Sequence, residues 1–273
     1  MDREELLTML EERRFKELKE ALENMHPFDI AEMLEELDDK QMILAFRLLT
    51  KDDAAETFTE MNSDMRETLL NALTDSEIKE VMDEMYLDDT VDVLEEMPAN
   101  VVDRLLMATD EERRKQINTL LKYPDDSAGS IMTTEFVGLK QTMTVEAAFD
   151  IIRRVAIDKE TIYTCYVTDK DRTLLGMVTV KDLLLAEDDE MRIEDIMLEN
   201  FISVTTHTDQ EEVARMFSKY NFLALPVVDN ENRMVGIVTF DDAMDVLEEE
   251  TTEDIELMGG MLPSEKTYIR SSA

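Results

Sequence analysis

The chain has 273 residues, 66 of them acidic and 28 basic, for a formal net charge of −38. That field works against nucleic acid and anionic lipid, both of which need Lys and Arg to displace counterions, and favours cations or a basic partner. Hydrophobic content of 44% and charged content of 34% fit a soluble, folded, helix-rich protein of two or three domains, and the lone cysteine, Cys165, excludes an intrachain disulfide or a thiolate metal site.

The opening stretch, MDREELLTMLEERR, is charged from its second residue and does not read as a signal peptide. No apolar run approaches the roughly 18 residues needed to span a bilayer. From His26 the chain divides into four segments of 24 residues, starting HPFDIAEM, TKDDAAET, TDSEIKEV and PANVVDRL. Apolar residues recur at steps of three and four, as in Ile30, Met33, Leu34 and Leu37, so each segment is expected to form two short helices. Thr50, Thr74 and Pro98 stand at segment starts, where N-cap residues and helix-first prolines occur. Hairpins this short cannot bury their apolar sides alone. The expectation is therefore an all-α superhelical repeat domain over 1–124, serving interaction or sensing, with the methionines as packing filler. Asp88 and Asp92 lie at i and i+4 on one helical face, with Asp89 beside them. Such a pair would share a divalent ion with a third carboxylate from elsewhere; the plainer reading is a solvated face.

KYPDDSAGSIMT, 122–133, carries Pro and Gly and marks a boundary. Beyond it, strands alternate with helices: EFVGL, TVEAAFDIIRRVA, TIYTCYVTD, LLGMVTV and KDLLLAED, then FISVTT, DQEEVARMFSKYN, FLALPVVDN, RMVGIVTF and DDAMDVLEEE. Cys165, in the alternating run TIYTCYVTD, is expected to be a small buried thiol. The repeats are 60 residues apart, and each is too small to bury much core, so they are expected to pack as an α/β pair. Domains are placed at 125–188 and 189–246, with an acidic C-terminal helix in 247–273. In DDAMDVLEEETTEDIELMGG, Asp242, Asp245, Glu249 and Glu253 share a face, where each like-charge pair weakens a helix by about 0.2–0.5 kcal/mol.

Catalytic signals are missing. DNENRMVGIVTF has Arg233 at its fifth position and no Gly at its sixth, so it is not a calcium-binding EF-hand loop. His26 and His207 are far apart in sequence, and the chain has neither a Gly-rich phosphate loop nor a nucleophile elbow. An enzyme is not expected.

GMVTVKD (Gly176 to Asp182) and GIVTFDD (Gly236 to Asp242) are similar to the signature of CBS domains, and the openings SIMT and DIML fit the same pattern. The resemblance implies a tandem regulatory module, often dimeric, that in many members binds adenine nucleotides such as ATP. It implies that Thr179 and Asp182 contact ribose and phosphates and that Phe222 stacks on a base, with Lys181 and Arg172 as the nearby cations.

The order of parts resembles the cytosolic region of the MgtE family of magnesium transporters, with DDSAG, TDQEEVAR, LPVVDN and TEDI the most specific pieces. In that family the acidic helix is a plug helix leading into a transmembrane pore domain. The resemblance implies a homodimer joined through the CBS domains, at the cytoplasmic face of a membrane, with the pore domain as partner and no nucleic acid. It also implies Mg²⁺ ligands at the seams: Glu56, Asp88 and Asp92 on the helical domain, Asp209, Glu211 and Asn221 on the second CBS repeat, and Asp242, Asp245, Glu250, Glu253 and Asp254 on the plug helix. Asn221 stands where the family can carry Asp and leaves an amide oxygen; at Asp242 a metal role competes with a nucleotide role. The implied function is Mg²⁺ sensing that favours a compact state and closes the pore when Mg²⁺ is high. Two alternatives stand beside it: an adenine-nucleotide-sensing CBS module, and an acidic helical scaffold for a basic partner.

Overall fold

Thr50, Asn62 and Thr74 each start a helix by accepting a hydrogen bond from the N–H three residues on, at Asp53, Met65 and Glu77. Asp38 forms a reciprocal capping box with Gln41, and His26 caps a helix whose first residue is Pro27. The computed structural model describes residues 3–258, with side chains over 5–252. The chain divides into two units, Met1–Asn118 and Thr119–Ala273.

The helical unit is built from α1 (Arg3–Glu11), α2 (Phe15–Leu22), α3 (Pro27–Glu35), α4 (Asp39–Phe46), α5 (Lys51–Thr59), α6 (Ser63–Ala72), α7 (Asp75–Glu84), α8 (Leu87–Glu96) and α9 (Ala99–Ala108), with α10 (Glu111–Leu120) at its end. The helix pairs keep the 24-residue period, with α3, α5, α7 and α9 starting at 27, 51, 75 and 99. Pro98 occupies the N-cap of α9, one place before the first helical position. The hairpin α1–α2 precedes the repeats and lies outside their 24-residue period. α3 packs on α5, α5 on α7 and α7 on α9, the stacking expected of a solenoid. Leu34, Phe58, Leu69, Ile78 and Leu105 are fully or almost fully buried, and each contributes roughly 1.5–3 kcal/mol by leaving water.

From α3 to α9 no helix has a basic residue in its own last turn. Arginines from elsewhere in the unit meet the C-terminal carbonyls instead. Buried Arg66 donates to the Phe58 carbonyl at 3.1 Å and to that of Thr59, and pairs with Glu96 at 2.7 Å. Arg104 donates to the carbonyls of Leu70 (2.5 Å) and Leu73 (2.8 Å), and Arg47 to that of Ala72 (3.1 Å). A cation at the negative end of the helix dipole stabilises it and satisfies carbonyls with no intrahelical donor.

The second unit contains two copies of one motif. β1 (Val137–Lys140), α11 (Val145–Val155), β2 (Thr164–Thr168), β3 (Leu174–Thr179) and α12 (Val180–Leu184) form the first. After α13 (Ile193–Ile196), β4 (Val204–Thr205), α14 (Gln210–Tyr220), β5 (Ala224–Val228), β6 (Met234–Thr239) and α15 (Phe240–Met258) form the second. Each sheet has its first two strands parallel and its last two antiparallel, with a register shift at Val167/Thr168 and again at Val227/Val228. Each hairpin turn is held by an aspartate. Asp169 Oδ1 accepts from the N–H groups of Asp171 and Thr173, and Asp229 Oδ1 from those of Glu231 and Arg233.

The repeats are interlocked through their leading segments. Ala128 and Gly129 donate to the carbonyls of Thr208 (2.7 Å) and Thr206 (3.0 Å), and Thr133 exchanges hydrogen bonds with Ile237 at 2.8 and 2.9 Å. The segment before the second repeat does the converse. Met191 and Asp189 accept from Val145 and Glu146 at 3.0 Å, and Met177 exchanges bonds with Leu198 at 3.1 and 2.7 Å. Each leader is thus mounted on the other repeat. A shared core seals the pair, with Tyr166 and Leu174 from one repeat against Ala224, Val228, Met234 and Ile237 from the other. Cys165 is fully buried, as expected, and burial pushes its thiol up to about 12. Among the described residues no helix is long and apolar enough to cross a membrane.

Candidate functional site

Thr179 ends β3 and caps α12. Its N–H and hydroxyl both donate to Asp182 Oδ2, at 3.1 and 2.6 Å, and its hydroxyl accepts from the Asp182 N–H at 3.1 Å. The second repeat builds the same joint: Thr239 donates to Asp242 Oδ2 through its N–H (3.3 Å) and hydroxyl (2.5 Å). The strand-to-helix corner therefore presents a preorganised Thr–Asp pair in both copies. Asp182 is exposed and Asp242 half-buried. A carboxylate there accepts from sugar hydroxyls, while threonine is both donor and acceptor. Thr239 carries the same signal as Thr179, namely its place 60 residues on in the motif, although it was not among the expected contacts. Half-buried Phe222 packs edge-on to Phe217, with centroids 6.2 Å apart, and lies 5.4 Å from Tyr220.

The carboxylates fall into three groups. In the helical unit Glu56 is exposed on α5, while α8 carries exposed Asp92 and buried Asp88, whose Oδ1 accepts from the Asp89 N–H at 3.1 Å. In the second repeat Asp209 is the N-cap of α14, accepting from the N–H groups of Glu211 (3.0 Å) and Glu212 (3.3 Å). Glu211 pairs with Arg215 one turn on. Asn221 follows the last residue of α14 in the left-handed conformation, φ 55°, where Asn is tolerated far better than most residues. Asp209 and Asn221 thus have local backbone roles that the family resemblance did not disclose.

On α15, Asp242 and Asp245 lie three residues apart in one continuous helix that also carries Glu250. The side chains of Glu253 and Asp254 lie outside the described residues, as does everything from residue 259 onward. α15 packs on α14, with the Phe240 and Phe217 rings 6.5 Å apart. The donor set throughout is oxygen, which fits a hard divalent cation and not a thiophilic one.

Residues 25–126 match the MgtE intracellular N domain, and residues 128–189 and 193–249 match the CBS domain. The chain is 41% identical, over 92% of its length, to the magnesium transporter MgtE of Thermus thermophilus, and spans 56% of that protein. It thus spans about half the length of the curated relatives it matches. Its fold resembles the crystal structure of the cytosolic domain of the Mg²⁺ channel MgtE in complex with ATP, with a TM-score of 0.84, 38% identity, and coverage of 88% of this chain and 98% of that one. It also resembles the soluble part of a magnesium transporter, with a TM-score of 0.83, 33% identity, and coverage of 91% and 99%. With a helical N domain, a CBS pair and close relatives over almost all of its length, the chain belongs to the MgtE family of magnesium transporters.

Proposed function

We propose that this chain is the Mg²⁺-sensing regulatory region of a magnesium transporter, acting at the cytoplasmic face of the membrane on a pore domain of the same protein. The observation that carries the reading is the likeness, over 88% of the chain, to the cytosolic domain of a Mg²⁺ channel. Charge supports it, because a net −38 field makes any compact state costly until cations compensate it. In this reading Glu56, Asp88 and Asp92 act together with Asp209, Glu211, Asn221, Asp242, Asp245, Glu250, Glu253 and Asp254 as ligands for several weakly held ions. Binding shifts the population toward a compact form only by the difference in affinity between forms. High Mg²⁺ then favours the closed transporter, and a homodimer formed through the CBS repeats carries the signal to both halves of the pore.

Calorimetry of the chain with MgCl₂ tests this reading. Saturable heat in the millimolar range, reduced by the double substitution Asp88→Asn, Asp92→Asn, is the expected result. Absence of Mg²⁺-dependent heat up to tens of millimolar would remove it.

A second role is supported by one specific observation: the related cytosolic domain was crystallised with ATP. The Thr179–Asp182 corner would receive ribose and phosphate, with Phe222 against the base. ATP titration should give a one-site isotherm in the parent protein that Asp182→Ala weakens. Equal isotherms for the two proteins would exclude this corner.

A further inference from the structure

α8, which carries Asp88 and Asp92, starts at Tyr86, not at one of the usual Ser, Thr, Asp or Asn caps. Its first turn is held from another helix. Arg113 Nη2, on α10, donates to the Met85 carbonyl at 2.5 Å, to the Thr90 hydroxyl oxygen at 3.1 Å and to the Tyr86 carbonyl at 3.3 Å. Thr90, fully buried, closes the mesh by donating to the Tyr86 carbonyl at 2.8 Å. Arg113 is itself anchored at its root, since its N–H donates to Asp110 Oδ1 at 3.0 Å, where Asp110 caps α10. All three contacts are made by the one Nη2, whose two hydrogens lie in the guanidinium plane and so have fixed directions, unlike the freely rotating hydrogens of an ammonium.

We infer that Arg113 is a positioning residue for the acidic face of α8: it fixes the α7–α8 turn and hence the azimuth at which Asp88 and Asp92 leave the helix. The inference rests on the Mg²⁺-sensing reading above and deepens it. A helix start that rocks by a few degrees moves a carboxylate by a fraction of an ångström, and Mg²⁺, with its short and strict coordination distances, is sensitive to displacements of that size. Met85, Tyr86 and Thr90, which accept from Arg113, belong to the turn and first residues of α8, so these bonds act on the ion through the geometry of α8.

The test compares Arg113→Met, Arg113→Lys and Arg104→Met in the full chain. Arg104 also donates to helix-end carbonyls of the same unit, but at the α6–α7 turn, so it controls for general loss of stability. Two quantities are read for each protein: the melting temperature in EDTA, and the Mg²⁺ midpoint for protection from limited proteolysis. Arg113→Met should raise the Mg²⁺ midpoint at least several-fold, Arg113→Lys should restore part of the shift, and Arg104→Met should lower the melting temperature with an unchanged midpoint. If Arg113→Met moves only the melting temperature, or if Arg104→Met shifts the midpoint equally, the inference is overturned. Should Arg113→Met fail to fold, Arg113→Lys alone decides, since an unchanged midpoint in that folded variant contradicts a directional role. Asp88→Asn separates the two levels. If it leaves the midpoint unmoved, the sensing reading itself fails, and the role of Arg113 falls with it.

Discussion

Gly236 is packed against Thr133 so closely that a Cβ on it would stand 2.7 Å from the Thr133 carbonyl oxygen, and 2.7 Å from Met132 Sδ. The counterpart, Gly176, would place a Cβ 3.0 Å from the Leu198 carbonyl and 3.1 Å from Met197 Sδ. The glycines of the two motifs are there because the other repeat's leader crosses over them. Gly236→Ala should therefore cost about 1–3 kcal/mol, and Gly176→Ala less, because its added Cβ would meet the backbone carbonyl at 3.0 Å and not at 2.7 Å. Urea unfolding of both variants checks this; equal midpoints for parent and Gly236→Ala would refute the crossing as a constraint.

Arg66 is 6% exposed and serves two carbonyls at the end of α5 as well as Glu96. Replacing it with Met leaves those carbonyls without their donor, for a loss of about 3 kcal/mol. Glu96, its ionic partner, has a side chain 54% exposed. Glu96→Gln should then cost under about 1 kcal/mol. Denaturant midpoints of the two variants rank the contributions, and a larger loss for Glu96→Gln would show that the ion pair, not the helix cap, matters.

Tyr166 is fully buried, and among the described residues its hydroxyl has no hydrogen-bond partner. Its ring meets Phe136 edge-on at 5.7 Å, so the aromatic contact survives loss of the oxygen. Burial pushes the phenol well above its ordinary range. Tyr166→Phe should raise stability by about 1 kcal/mol, observed as a higher melting temperature. A lower one would show that the hydroxyl has a partner, such as an ordered water.

Much of this architecture was legible in the chain. The 24-residue period showed in Thr50 and Thr74, since N-caps recur where helices restart, and the CBS pair showed in a motif repeated after 60 residues. The interlocking leaders were not legible, because Thr133–Ile237 and Met177–Leu198 are backbone pairings that leave no trace in residue type. Nor was the α1–α2 hairpin, which lies outside the period. At the candidate sites, the family resemblance pointed to the acids but not to their local duties. Asp209 and Asp182 also satisfy helix N–H groups, and Asn221 supplies a left-handed turn. Arg113 was hidden because its contacts with Met85, Tyr86 and Thr90 span 23 to 28 residues.

Asp110 lies below the usual carboxylate range, chiefly because it accepts the Arg113 N–H, and then that of Glu112. A depressed carboxylate contributes stability that is present above its unfolded pKa and lost as pH falls through the folded one. Asp110→Ala should therefore melt below the parent at pH 7, with the gap closing as pH drops below about 4. Melting curves at a series of pH values read this directly, and a gap that persists into strong acid would contradict the ionised cap.

On the proposed function, Mg²⁺ compacts this acidic chain through its carboxylates. Small-angle X-ray scattering across a Mg²⁺ titration, at constant ionic strength, tests it most directly. The radius of gyration should fall with a saturable millimolar midpoint in the parent, and stay at its Mg²⁺-free value in the Asp88→Asn, Asp92→Asn protein. A radius unchanged by Mg²⁺ in the parent, or an equal contraction in both proteins, would contradict it.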